Sequence, residues 1–132
     1  LCVNISKIVK KMYQKSDIEI LIATMNRTNF DFLEAMFLFS NYSKFNILIV
    51  NQTTNDKLLH SDNEHIKVLN VFEKGLSKSR NLALKNATKK LLIFTDDDIV
   101  FQQKFEKKII KYELNHKEII FLQLLLNFLK RA

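Results

Sequence analysis

The spacing of apolar side chains changes period several times along the chain. Residues 19–24 (EILIAT), 45–51 (FNILIVN) and 91–95 (LLIFT) are near-continuous apolar runs that stop abruptly at polar residues. Runs of that kind predict parallel strands covered on both faces. Residues 66–72 (IKVLNVF) alternate instead, which predicts a partly exposed or edge strand. Between these runs the period lengthens to three and four. Phe30, Leu33, Met36 and Phe37 predict a helix over 30–39, Leu76, Ala83 and Ala87 a second one, and Phe105, Ile109 and Tyr112 a third over 104–114. The order is β-α-β-loop-β-α-β-α, followed by an apolar segment at 119–129. Such alternation predicts an α/β fold: a mainly parallel sheet flanked by helices, with right-handed crossovers. Ligands of such sheets sit beyond the carboxyl ends of the strands, which directs attention to 24–27, 51–53, 73–81 and 96–98.

Composition sharpens this picture. A chain of 132 residues with 47% hydrophobic and 27% charged residues folds as one domain. With one Gly and no Pro, most turns must be closed by Asn, Asp and Ser, so Gly75 stands out. The net charge of +7, mainly from Lys, suits a nucleic acid, an anionic membrane surface, an anionic substrate or simply a solvated Lys-rich face. No motif or aromatic platform favours nucleic acid, and none is expected as a partner. Cys2 is the only cysteine, which excludes an internal disulfide. Residues 1–17 read as a basic N-terminal arm with Ile5, Ile8, Val9 and Met12 on one side, not as a secretory signal. The segment 119–129 is interrupted by Gln123 and Asn127 and is too short to span a bilayer. Its many apolar side chains predict either packing under the sheet or self-association. These features predict a cytoplasmic protein, peripheral at the inner face of the membrane. Because the sequence begins at Leu1, a fragment or a processed product is expected.

The chemistry centres on Asp96-Asp97-Asp98, at the exit of the last predicted strand. In extended backbone Asp96 and Asp98 project to one face and Asp97 to the other. Two carboxylates at that spacing can converge on one hard cation such as Mg²⁺ or Mn²⁺. Acids about 6 Å apart repel by roughly 3 kcal/mol per pair at an effective dielectric near 20, and no Lys or Arg lies nearby in sequence. A bound cation would relieve that repulsion. The competing reading is a helix N-cap followed by solvated acids, since a helical pattern begins soon after. A second candidate is the run from Gly75 to Asn81, in which a Gly turn leads into a helix capped by Ser77, with Lys78 and Arg80 adding positive charge. Free N–H groups at such a helix start suit a diphosphate.

Taken together, Thr-x-Asn-Arg after the first strand, Gly-Leu-Ser-Lys-Ser-Arg-Asn-Leu-Ala-Leu from Gly75, and Thr-Asp-Asp-Asp-Ile-Val from Thr95 are similar to a known family. Over roughly residues 18–122 the chain resembles the nucleotide-sugar-binding half of a family 2 glycosyltransferase with the Rossmann-like GT-A fold. The resemblance implies a metal-dependent inverting transfer from a nucleoside-diphosphate sugar to a glycan or lipid-linked acceptor, for bacterial surface or capsular polysaccharide. It implies a DxD motif with Asp98 on the metal, Asp96 on metal or ribose, and Asp97 within the nucleotide-sugar site. Arg27 and Arg80 match basic positions near the nucleobase and diphosphate, and Thr24 and Asn51 match positions at the base pocket. The family usually has Asp where this chain has Asn51, whose amide offers an acceptor to a base N–H but adds a donor.

The resemblance also implies an acceptor half carrying the catalytic base. Glu113 and Glu118 are the last two acids, and nothing marks either for that role. Residues 18–132 are therefore expected to be a truncated donor-binding domain, the alternative being a nucleotide-binding remnant or interaction module without turnover. A phosphoacceptor receiver domain is excluded because Thr24-Met25-Asn26 supplies no acidic pair after the first strand. A dinucleotide dehydrogenase is excluded for want of a Gly-rich fingerprint.

Overall fold

A computed structural model of the chain describes residues 13–115 and 129–131. The expected basic arm therefore lies largely outside the described residues, as does nearly all of the apolar segment 119–129. The elements are β1 (Ile18–Met25), α1 (Asp31–Met36), β2 (Asn46–Gln52), β3 (Ile66–Val71), α2 (Leu76–Asn86), β4 (Leu91–Asp96), β5 (Ile99–Phe101), α3 (Phe105–Asn115) and β6 (Leu129–Arg131). Strands β1 to β4 form one sheet in the order β3-β2-β1-β4, with every neighbouring pair parallel. The chain thus winds outward from β1 to β3 and then jumps back to place β4 on the other side of β1. That reversal is a topological switch point, and ligands of such sheets bind beyond the carboxyl ends of the strands beside it, here β1 and β4.

The continuous apolar runs are explained by two cores. Ile18, Ile20 and Ile22 of β1, with Ile47 and Ile49 of β2, point to one face and meet Phe32, Leu33, Met36 and Phe37 from α1 and its C-terminus. Leu21, Leu48 and Val50 point the other way, against Ala83 of α2. Alternate residues of one strand therefore serve different helices, and the middle of each of these two strands is apolar on both faces. Ala83 is small enough to let α2 lie close to the sheet.

Phe101 and Phe105 complete the first core by stacking at 4.3 Å between ring centroids, with Phe37 4.7 Å from Phe101 and Phe45 5.1 Å from Phe105. Offset and tilted aromatic pairs at these distances favour the ring quadrupoles as well as burying area. The acids do not cap a helix: the helix predicted over 104–114 is α3, which starts only at Phe105. Residues 99–101 form the short strand β5, antiparallel to β6, because Ile99 and Phe101 alternate into the core while Val100 faces outward.

Three further differences from the sequence reading have simple causes. Helix α1 is only Asp31–Met36, shorter than the 30–39 predicted, leaving Leu38 and Phe39 exposed. Strand β4 lies at an edge of the four-stranded sheet, so Leu92 and Phe94 are only half-buried. Strand β3 occupies the opposite edge, as its alternation predicts. Finally, Gly75 and not Ser77 is the N-cap of α2, which places Ser77 within the first turn.

Gly75 has φ of +141°, a conformation that side chains disfavour. A Cβ there would meet only Lys78 side-chain carbons, at 3.7–3.8 Å. Gly75→Ala should therefore cost about 1–3 kcal/mol through backbone strain and not through a clash. Chemical denaturation checks this, and a neutral result would mean that the helix start relaxes freely.

One buried acid belongs to the scaffold. Glu19 accepts hydrogen bonds from the Thr88 and Lys89 main-chain N–H groups at 2.8 and 3.2 Å. It ties the turn after α2 to the start of β1, and so sets the register that pairs Ala23 with Asp96 across the switch point.

Candidate functional site

The site is built from the ends of β1, β2 and β4 and the start of α2. After Met25, Asn26 adopts φ of +53° and its N–H donates to the Gln52 carbonyl at 2.8 Å. Asn is among the few residue types that tolerate this backbone. The reversal brings Arg27 back over the strand ends.

Asn51 holds that turn from below. It is 0% exposed; its Oδ1 accepts from the Arg27 N–H at 3.0 Å, and its Nδ2 donates to the Arg27 carbonyl at 2.9 Å. The same Nδ2 donates to Asn70 Oδ1 at 3.0 Å, the residue paired with it across β2 and β3. Asn70 in turn grips Leu59, accepting from its N–H at 3.0 Å and donating to its carbonyl at 2.9 Å. Two amides thus brace two loops. Asn51 supports the cleft from beneath, and its amide is committed to Arg27 and Asn70.

The three acids do not act alike. Strand β4 ends at Asp96, and Asp97 and Asp98 form a turn, so the alternation that would put Asp96 and Asp98 on one face does not carry through. Asp97 turns into the cleft: its Oδ2 accepts from the Thr24 hydroxyl at 2.5 Å, from Arg27 Nη2 at 2.8 Å and from Arg27 Nε at 3.3 Å. Arg27 Nε also donates to Thr24 Oγ1 at 3.1 Å, and the guanidinium lies 4.9 Å from the Phe32 ring centroid. Arg80 Nη2 is 3.9 Å from Asp96 Oδ1, a loose ion pair between half-exposed groups. Asp98 is exposed and, among the described residues, makes no ion pair or hydrogen bond. The cations missing from the neighbouring sequence are therefore supplied by the fold, from positions far away in the chain.

A cavity of about 420 Å³ opens here, lined by Thr24, Gln52, Leu76 and the three acids. A larger hollow of about 500 Å³ lies between the end of β3 and α2, but its lining is mainly apolar and includes none of these carboxylates. The smaller cleft is the better candidate on chemistry, because convergent polar groups and not volume mark a site. Among the described residues, no group of three or more His, Cys, Asp or Glu side chains is arranged to hold a metal ion. Gln52 and Ser79 were not singled out in the sequence, yet Gln52 Nε2 donates to Ser79 Oγ at 2.6 Å beneath the cleft floor. The only signal was position: Gln52 directly follows Asn51 at a strand exit.

The sequence profile described as Glycosyl transferase family 2 matches residues 19–129. The chain belongs to glycosyl transferase family 2. The match takes in all four parallel strands, the acidic turn and α2. The fold agrees with S. aureus TarS, at a TM-score of 0.53 and 19% identity over 76% of this chain and 20% of that one. A shorter TarS structure, residues 1–349, gives a TM-score of 0.53 at 18% identity over 75% of this chain and 33% of that one. This family 2 chain thus spans a fifth to a third of the length of the structures it matches. No curated protein matches it by sequence. Among the described residues of this family 2 chain, no helix is long and apolar enough to cross a membrane.

Proposed function

We propose that the chain is the donor-binding half of a metal-dependent, inverting glycosyltransferase that uses a nucleoside-diphosphate sugar. The single observation carrying this reading is the pair of exposed carboxylates, Asp96 and Asp98, that line a cleft at the β1/β4 switch point, with Arg80 3.9 Å from Asp96. Mg²⁺ and Mn²⁺ commonly take one or two protein carboxylates and complete their shell with phosphate oxygens and water. Two carboxylates suit such an ion in their chemistry, and Asp98 and Asp96 would hold it, with the remaining positions left to a diphosphate. A cation bound there would neutralise charge on the departing diphosphate.

The protein's own residues have distinct parts in this reading. Arg80 adds positive charge at the rim. Thr24 and Arg27 fix Asp97, so that its charge is already compensated and does not compete for the cation. Asn51 sets the Arg27 turn from below. The acceptor would be a glycan or a lipid-linked carrier, as in the synthesis of surface or capsular polysaccharide.

Calorimetric titration with uridine diphosphate tests the proposal. Mn²⁺ should raise the affinity at least roughly tenfold over a chelator control, since bridging ion contacts are among the strongest in such sites. Asp98→Asn should remove most of that enhancement while the circular dichroism spectrum stays unchanged. Equal affinity with Mn²⁺ and with chelator would reject the metal-bridged donor site. Labelled nucleotide sugars then separate transfer from the alternative of a binding module, which would take up donor and release no glycosylated product.

A further inference from the structure

We infer that Gln52 is a positioning residue for the donor diphosphate, because it indexes the two arginine-bearing arms of the cleft to each other. The inference rests on the donor-binding reading above. Gln52 stands at the end of β2, is 8% exposed, and lines the cleft beside the acids. Its main-chain carbonyl accepts from the Asn26 N–H at 2.8 Å and so holds the turn that presents Arg27. Its side chain holds the opposite arm. Oε1 accepts from the Gly75 N–H at 3.3 Å, while Nε2 donates to Ser79 Oγ at 2.6 Å and to the Gly75 carbonyl at 3.4 Å.

Gly75 and Ser79 are one helical turn apart and are themselves joined by the Ser79 N–H to Gly75 carbonyl bond at 3.1 Å. A grip at both points fixes the rotation of α2 about its axis as well as its distance from β2. Arg80 follows Ser79 directly, and its reach toward Asp96 depends on that rotation. Thus one side chain and its own carbonyl set the separation of Arg27 and Arg80. Both ends of the amide are in use, and no shorter or apolar side chain would reproduce both contacts.

The chemistry of substitution separates positioning from general structural damage. In Gln52→Glu a carboxylate still accepts from the Gly75 N–H and from the Ser79 hydroxyl, so much of the grip survives. It also places a negative charge beside the bound diphosphate and faces the Gly75 carbonyl with no donor. Gln52→Leu removes the grip with no change of charge.

The measurement is the affinity for uridine diphosphate and for uridine, each with Mn²⁺, together with the thermal unfolding midpoint. Both variants should bind uridine diphosphate roughly tenfold more weakly, as expected when a buried hydrogen-bonded support is lost or a like charge is introduced. Uridine, which lacks the phosphates, should bind about as it does to the wild-type chain. The ratio of the two affinities is the decisive quantity, because a partly unfolded sample lowers the active fraction for both ligands equally. Gln52→Glu should keep a near-wild-type unfolding midpoint, which shows that the fall in ratio is not a loss of fold. An unchanged ratio in Gln52→Leu, whatever Gln52→Glu does, overturns the inference alone. A wild-type chain that binds uridine diphosphate no better than uridine overturns the donor-binding reading and this inference together.

Discussion

Replacing Asn51 by Asp is expected to cost about 2–4 kcal/mol of folding stability at neutral pH, although the two side chains are nearly isosteric. The amide orientation is dictated from both sides. Its oxygen faces the Arg27 N–H, and its nitrogen faces the Arg27 carbonyl and Asn70 Oδ1. A carboxylate would keep the first contact and turn the other two into oxygen–oxygen repulsions. Asn70 cannot compensate by flipping, because it would then present its nitrogen to the Leu59 N–H and its oxygen to the Leu59 carbonyl. The residue that the family resemblance implies at this position is therefore unfavourable in this chain. The pH dependence has a definite sign. Burial disfavours the charged carboxylate, so the folded-state pKa of the new Asp is raised above its unfolded value, and the folded state binds the extra proton more tightly. The deficit is greatest at neutral pH and shrinks as pH falls through the range where the new carboxyl protonates and its hydroxyl can donate to the Arg27 carbonyl. Denaturant unfolding of both proteins from neutral to mildly acidic pH measures this. A variant as stable as the wild type at neutral pH would show that the amide network is not oriented as described.

Phe101→Ala should be at least as damaging, at about 3–5 kcal/mol. Phe101 is fully buried, stacks on Phe105 and packs against Phe37. Its removal opens a cavity among rings that are fixed by α1 on one side and α3 on the other. Total stabilities of single domains are typically about 5–15 kcal/mol, so the midpoint of thermal unfolding should fall by roughly 10–20 °C. The effect should reach the site as well. Strand β5 leaves directly from the acidic turn, and Phe101 anchors its far end. Even under conditions where the variant remains folded, the proposed Mn²⁺ enhancement of nucleotide binding should weaken. Phe101→Leu should recover much of both losses, because it restores most of the volume. A Phe101→Ala protein with wild-type stability would mean that the ring cluster repacks without penalty, against the close fit seen around it.

The four parallel strands, the three helices and the fold class are legible in the local pattern of side chains. Runs such as ILIVN could only be strands covered on both faces, and the switch to a three-and-four period between them could only be crossover helices. The strand-end rule points to Thr24, Asn51 and the acids from sequence position alone. Gly75 was legible too, because a lone Gly at a helix start signals an unusual φ, although which residue capped the helix was not.

The strand order, and with it the site, emerges only when the chain is folded. Period and polarity are local properties, whereas the return of β4 to the side of β1 depends on which edge offers the better burial for its alternate side chains. That return is what sets Asp97 against Thr24 and Arg27, seventy or more positions away in sequence. The same holds for the separate fates of the three acids. Strand alternation assigned Asp96 and Asp98 to one face, but Ile99 and Phe101 needed the core, and their burial forced a turn at Asp97 and Asp98. For the same reason the sequence marks Gln52 only by its place at a strand exit and not by its role. A side chain acquires a role of this kind only when distant backbone groups, here Gly75 and Ser79, are brought within hydrogen-bonding reach of it.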